Sequence, residues 1–340
     1  MHAFEIREQT TDYSGIVRTE RPTPDLGPND VLVDVRAASI NYRDIAIARP
    51  DIPYPRVSYP VVPLSDGAGE VVRVGSQVEQ VAVGDRVTTP LAPDWRDGTG
   101  TPEKLSRLRG STIEGMLQEY ISIPEHELIH VPEHLSYAEA AAIPCAGLTA
   151  WRALIEDGGL HAGRTVLLLG SGGVSTFGLQ FAEMHGARTI VTSSSDEKLE
   201  RLASLGAWET INYETTPRWG EHARELTDGR GVDQVVEVGG PGTLEQSLEA
   251  ITPNGHIHLI GVLSGHEGQI DPSHILHNIV TVEGIMGAGS HAMFERMARA
   301  IEVTGMTPVV DRTFSFDATH DAFTYAASGD QLGKAVIEIE

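Results

Sequence analysis

Six residues, Gly170-Ser171-Gly172-Gly173-Val174-Ser175, lie between an apolar run, Val166 to Leu169, and an amphipathic run that carries Phe177, Leu179, Phe181, Ala182 and Met184. Gly186 ends the second run, and Thr189 to Thr192 begins another apolar stretch. Strand, glycine turn, helix and strand within about 30 residues form a βαβ unit that can bind a dinucleotide. Glycines let the backbone approach a pyrophosphate, and the helix start offers it free N–H groups and a positive dipole end. The third glycine of the usual pattern is replaced by Ser175. The same stretch could also be a phosphate-free turn of an ordinary α/β protein, and the flanking strands and helix favour the dinucleotide.

The flanking elements must position this turn. Residues 1–123 read as short strands punctuated by glycine and proline, which suggests a β-barrel-like domain. Arg49 to Pro63 carries five prolines and is expected to be extended loop. Leu91 to Thr112 is polar and reads as an exposed excursion. Ser136 and Glu139 form a capping box ahead of an alanine-rich helix that ends near Pro144, with a second helix from about Thr149. Beyond the glycine turn, strands at 209–212, 232–238, 256–262 and 281–286 alternate with helices at 221–227 and 243–250, the pattern of a doubly wound parallel sheet. A helix at 292–303 precedes a return to β character at 309–316 and 335–339. The class is α/β. The expected division is a β-rich domain, 1–123 with 292–340, and a dinucleotide-binding domain, 124–291.

The 340 residues carry a formal charge of −23, which argues against nucleic acid and against anionic membranes as partners. No apolar stretch is long enough to span a bilayer, and MHAFEIREQT has no signal-peptide pattern, so a cytoplasmic protein is expected. The acidity suits a solubility surface, or a salt-adapted host. Cys145 is the only cysteine, which excludes an intramolecular disulfide and a four-cysteine zinc site. Lysine occurs only at 104, 198 and 334, so an acidic chain that binds phosphate makes those positions informative. His126, His130 and His134 are spaced by four, but Pro124 and Pro132 argue against one continuous helix and for surface histidines. His256 and His258 alternate on an expected strand and read as structural.

The element order, with Ala38-Ser-Ile-Asn-Tyr-Arg-Asp44, Ser65-Asp-Gly-Ala-Gly-Glu70, Leu135 to Trp151, the glycine turn, Ser193-Ser-Ser-Asp-Glu-Lys198 and Gly333-Lys-Ala-Val336, resembles the medium-chain dehydrogenase/reductase superfamily over nearly the whole chain. Within it, the chain looks most like the zinc-independent branch of quinone oxidoreductases and alcohol dehydrogenase-like proteins. The resemblance implies a GroES-like catalytic domain joined to a Rossmann cofactor domain. Zinc-dependent members hold the catalytic metal with a cysteine, a His-Glu pair and a later cysteine. Those places hold Asn41, Ser65-Asp66 and Cys145 here, and the lobe for a structural zinc, 91–112, has no cysteine. No zinc and no metal-ligating residue is therefore expected.

An acid about 20 residues past the glycines would bind the ribose 2′-hydroxyl of NAD. Alignment places Ser193 there, with Ser194 beside it and Lys198 five residues on, where a cation could meet a 2′-phosphate. Tyr213 matches a tyrosine flanking that pocket in relatives. NADPH is thus favoured over NADH, although Asp196 argues against it unless it points away. By resemblance Lys334 approaches the pyrophosphate, and Gly239-Gly240 and Gly261-Val262-Leu263 border the nicotinamide.

Without a metal, hydrogen-bond donors must stabilise charge developing on a substrate oxygen. The candidates are Asn41 and Tyr42, then Ser65 and Thr149; a tyrosine stays protonated at neutral pH and can pass on a proton. Asp44 and Asp66 are expected to hold loops in place, and Cys145 to be a packed small residue. These residues suit an NADPH-dependent reductase of an activated double bond (an enone or enal) or a quinone. The alternatives are a zinc-free alcohol dehydrogenase or carbonyl reductase, and an NADPH-binding sensor or structural protein with little turnover. The expected partners are a small electrophilic substrate and, by fold analogy, a second copy paired through strand 281–286.

Overall fold

The computed structural model describes residues 1–55 and 57–340, so position 56 of the expected proline-rich loop lies outside the described residues. The chain divides into two compact units, Met1–Leu148 with Gly287–Glu340, and Thr149–Met286.

The first unit opens with an antiparallel ribbon of β1 (His2–Ile6) and β2 (Ile16–Glu20). It continues through β3 (Asp30–Ser39), α1 (Tyr42–Ala48), β4 (Asp66–Val74), β5 (Arg86–Thr88), β6 (Tyr120–Pro124), β7 (Ile129–His130) and α2 (Tyr137–Ala141). The boundary falls within the short helix α3 (Leu148–Trp151). The second unit contains β8 (Thr165–Leu168), α4 (Gly173–Met184), β9 (Arg188–Ser193), α5 (Asp196–Ser204), β10 (Glu209–Asn212), α6 (Trp219–Leu226), β11 (Val232–Glu237), α7 (Leu244–Ala250), β12 (Ile251–Leu259), α8 (Pro272–Asn278) and β13 (Thr281–Gly284). The chain then returns to the first unit with α9 (His291–Thr304), β14 (Val310–Ser315), α10 (Thr319–Ser328) and β15 (Lys334–Glu338).

In the first unit, the seven-stranded sheet runs β14-β15-β3-β4-β5-β7, with β6 also paired to β3. Its core gathers Val31, Val33 and Val35 of β3 with Val71, Ile121, Phe323 and Ile337. Register matters for the site. In the antiparallel pair of β15 and β3, Val336 faces Ser39, so two residues further Lys334 comes opposite Asn41. The pair of β3 and β4 sets Ser39 against Asp66.

In the second unit, six parallel strands run β10-β9-β8-β11-β12-β13. Renumbered within the sheet this is 3-2-1-4-5-6, the order of a dinucleotide-binding fold. Every residue of β8 and β11 is buried, because crossover helices cover both faces. Leu167, Ile190, Val235 and Ile257 lie in the core of this unit.

Several expectations need correction. Residues 124–148 belong to the β-rich unit, because β7 pairs with β5 and α2 packs on β3 and β4. Residues 287–291 join it too, since the His291 N–H donates to the Trp95 carbonyl. The 91–112 stretch is not simply exposed. Trp95 is buried at its centre, and its Nε1 donates to the Gly98 carbonyl at 2.8 Å. The alanine-rich helix stops at Ala141 and passes into a π-helical segment, Ile143–Gly147. Helices α1, α8 and α10 are short segments whose periodicity did not stand out. His126, His130 and His134 are exposed and occupy a 3-10 turn, a strand and a loop. Among the described residues, no helix is long and apolar enough to cross a membrane.

Candidate active site

In the first unit, β3 ends at Ser39 and the chain turns at Asn41 into α1. Asp44 fastens this turn: its Oδ2 accepts the Asn41 N–H at 2.9 Å, while its own N–H donates to the Asn41 carbonyl. Arg43 donates from Nη1 to Asp44 Oδ1 at 3.0 Å, from Nε to the Tyr54 hydroxyl at 3.1 Å and from Nη2 to Ser111 Oγ at 3.1 Å. Across the sheet, Ser65 Oγ donates to Asp66 Oδ1 at 2.6 Å, and the Cys145 N–H donates to Asp66 Oδ2 at 2.9 Å. Lys334 reaches the turn from β15. Its ammonium donates to the Ile40 carbonyl at 2.6 Å and to Asn41 Oδ1 at 2.5 Å.

Asp44, Ser65 and Asp66 are fully buried, and Lys334 is 2% exposed. Two cations thus face two carboxylates away from water, where an unpaired charge would be costly. Burial raises the Asp44 pKa, opposed by the Arg43 guanidinium. Burial pulls the Lys334 ammonium below its ordinary value, opposed by Asp66. The Cys145 thiol is pushed up to about 12 by burial and by the neighbouring Asp66 carboxylate. Two polar atoms are left over at the end of β3, and one of them is Ser39 Oγ, buried without a partner. Asn41 Nδ2 is buried and has no hydrogen-bond partner, a condition that costs about 1–3 kcal/mol.

The structure therefore brings Asn41, Ser65 and Lys334 into one cluster. Tyr42, on the first turn of α1, is 49% exposed, and burial of the rest of its ring raises its pKa. Thr149 is buried and is the first residue of the second unit. Lys334 is engaged by the Ile40 carbonyl and by Asn41 Oδ1. Arg43, Tyr54 and Ser111 were not singled out from sequence as site residues; an arginine between a tyrosine and an aspartate in Asn41-Tyr-Arg-Asp44 was the available signal.

In the second unit, the glycine turn is shaped for a ligand. Gly170 has a φ of 78°, in the left-handed region that favours glycine. A Cβ on Gly170 or Gly172 would meet nothing within 4 Å, so the backbone faces open space there. Ser171 lies between them, and α4 starts at Gly173 with no side-chain cap. The first-turn N–H groups of Gly173, Val174 and Ser175 are thus available to an anion. Ser175 is buried and its hydroxyl donates to the Leu169 carbonyl at 2.7 Å, which explains how serine replaces the third glycine. Close packing of helix on strand falls to Gly178, where a Cβ would lie 2.8 Å from Leu168 Cδ2.

At the end of β9, buried Ser193 accepts the Ser195 N–H at 3.2 Å, and Ser195 caps α5 by accepting the Lys198 N–H. Ser194 offers its carbonyl to Asn212 Nδ2 at 3.4 Å. The same Nδ2 donates to Asp196 Oδ1 at 2.6 Å, so that carboxylate is turned to β10. The Tyr213 N–H donates to the Ser193 carbonyl, and the ring is 39% exposed.

The loops after β11 and β12 are tied together. The Ser264 N–H and hydroxyl both donate to the Gly239 carbonyl, and the Leu263 N–H donates to the Val238 carbonyl. At Gly261 a Cβ would lie 2.5 Å from the Val238 carbonyl oxygen, and at Gly240 one would lie 2.9 Å from Val262 Cα. Beneath them Glu237 is fully buried and accepts four hydrogen bonds, from the Gly239 and Gly240 N–H groups and the Thr243 and Ser247 hydroxyls. Glu237 did not stand out in the sequence, because Asp233 and Gln234 make it one of three polar residues in the strand 232–238.

The comparisons agree with this geometry. Residues 27–133 match the family profile of the alcohol dehydrogenase GroES-like domain, and residues 173–303 that of zinc-binding dehydrogenase. A zinc-type alcohol dehydrogenase-like protein of Schizosaccharomyces pombe is 40% identical over 344 residues, covering 99% of both chains. A 2-methylene-furan-3-one reductase of Solanum lycopersicum is 31% identical over 96% of this chain and 77% of its own. The crystal structure of a putative alcohol dehydrogenase from Sinorhizobium meliloti 1021 superposes with a TM-score of 0.91 at 38% identity, covering 99% of this chain and 98% of that one. The chain belongs to the medium-chain dehydrogenase/reductase superfamily. It is an oxidoreductase with a GroES-like domain and a Rossmann-like domain, and its family uses a nicotinamide dinucleotide.

The cofactor fits: the open backbone at Gly170 and Gly172 and the uncapped start of α4 would hold the pyrophosphate. Zinc does not fit the first unit's cluster. Asn41 and Ser65 are poor ligands, and Asp66 is already bonded by Ser65 and by the Cys145 N–H. Among the described residues, no group of three or more His, Cys, Asp or Glu could hold a metal.

Proposed function

We propose that the chain is a zinc-independent, NADPH-dependent reductase of an activated carbon–carbon double bond, in an enone or enal, or of a quinone. The observation that carries this reading is the cluster at Asn41. Where metal-bearing relatives have ligands, this chain has an unpaired amide donor backed by a buried ammonium. Such a site suits a substrate whose charge spreads through conjugation onto one oxygen, rather than an isolated carbonyl that needs a strong Lewis acid.

NADPH would be held by Gly170 to Val174, with Ser193, Lys198 and Tyr213 around the 2′-phosphate, and it supplies a hydride. A hydride delivered to the β-carbon of an enone would shift the electron pair of the double bond to give an enolate. The enolate oxygen accepts a hydrogen bond from Asn41 Nδ2. A proton reaches the α-carbon from Tyr42 or from water, which balances the reduction. The absence of a carboxylate at position 193, with Asp196 turned to Asn212, supports NADPH over NADH.

The second reading, a zinc-free alcohol dehydrogenase or carbonyl reductase, draws on the Schizosaccharomyces pombe relative's name. Stopped-flow oxidation of bound NADPH separates the two. Enones or quinones should oxidise it, and oxidation by simple ketones alone would favour the second. Metal analysis should find no stoichiometric zinc, and a chelator should leave the rate unchanged.

We also propose a homodimer. Strand β13 is the open edge of the parallel sheet, and Leu276, Ile279 and Met286 around it are more than half exposed.

A further inference from the structure

We propose that Lys334 is the positioning residue that fixes the Asn41 amide with its N–H groups turned toward the substrate oxygen. This rests on the reductase reading above. An ammonium has three donors and no acceptor, so the amide atom it meets must be Oδ1. The contact is 2.5 Å long, and Lys334 is anchored by a second bond at 2.6 Å to the Ile40 carbonyl. Both anchors lie on the same turn, and the register of β15 on β3 delivers the lysine there. The amide plane is therefore set, and Nδ2 is sent to the opposite side. That nitrogen is buried and has no partner. A donor held ready and out of water is what stabilises charge that appears only during reaction. The ammonium also draws electron density toward Oδ1, which makes the N–H groups better donors.

Lys334 thus acts on the substrate through Asn41 and does not touch the cofactor phosphates. The neighbouring charges support this division. Asp66 and Asp44 both act on Lys334, so its charge is already balanced within the first unit.

Three variants of the full chain, assayed with NADPH and an enone such as cyclohexenone, test the proposal. Asn41→Asp keeps an acceptor for the ammonium and removes both N–H groups. It should lower kcat about 100-fold, with the Kd for NADPH, read by fluorescence titration, unchanged within twofold. Lys334→Met should lower kcat at least tenfold with the same unchanged Kd, and the double variant should be no slower than the slower single one. Multiplying losses, retained kcat in Asn41→Asp, or a weakened NADPH Kd with retained kcat in Lys334→Met would overturn it.

A second readout does not depend on turnover. In protein labelled with 15N at asparagine, the Asn41 side-chain amide pair, assigned by its loss in Asn41→Asp, should shift in Lys334→Met. An unshifted pair overturns the proposal whatever the substrate. A wild-type protein that reduces no enone or quinone, yet shows the shift, overturns the reductase reading and leaves the lysine's hold on the amide established.

Discussion

At the scale of single residues, the chemistry rests on side chains that have given up other roles. Ser193 accepts the Ser195 N–H at the start of α5, and the proposed NADPH preference rests on its carrying no carboxylate. Ser193→Asp should therefore move the ratio of kcat/KM for NADPH and NADH toward NADH by at least tenfold, or about 1.4 kcal/mol. Steady-state kinetics with both cofactors checks this, and unchanged selectivity would overturn the 2′-phosphate assignment. Asn41, Ser65 and Ser193 could be singled out because each lies in one of the motifs that carry the family resemblance. The partner of Asn41 was not, because Lys334 lies 293 positions away and meets it only through sheet register. The glycine turn made its position legible, but Ser175 and Gly178 dividing the third glycine's roles required coordinates.

At the scale of elements, the 91–112 lobe shows how a buried ion pair holds a polar segment in shape. Arg109 donates from Nη2 to Glu127 Oε2 at 2.7 Å, and both side chains are at most 4% exposed. Arg107 adds a 3.3 Å contact to the same carboxylate. Glu127→Ala would leave the Arg109 charge buried without its partner, which should destabilise the fold by about 3–5 kcal/mol. Urea denaturation of the variant measures this, and a loss below about 1 kcal/mol would show that water or another group takes up the charge. The lobe was misread as exposed because its polar composition hides a single buried tryptophan and a long-range ion pair. Alternating strands and amphipathic helices in the second unit were easier, since their spacing is local. The parallel order of that sheet follows from the alternation itself.

At the scale of the whole molecule, acid stability and assembly can be tested. His258 is fully buried, bonded by Nε2 to Gln234, and burial lowers its pKa to about 4. The unfolded chain takes up its proton near pH 6.5, so between about 6.5 and 4 the unfolded state binds more protons. Stability should then be complete above this window and fall as the pH drops through it. The loss reaches about 2 kcal/mol at pH 5. Denaturation curves from pH 7.5 to 5 should show that slope in wild type, and His258→Asn should flatten it. For assembly, Ile279→Glu should convert a dimer to monomer in analytical ultracentrifugation, and a dimer that survives this change does not use the β13 edge.

Cys145 carries one more consequence. Conjugated carbonyls are themselves alkylating agents, and thiolates are their usual protein targets. A chain proposed to turn over such compounds has one thiol, keeps it in the unreactive protonated form, and spends its N–H group on Asp66. N-Ethylmaleimide at pH 7 should leave the activity intact over hours, whereas rapid inactivation with one label per chain would show that the thiol is open to attack.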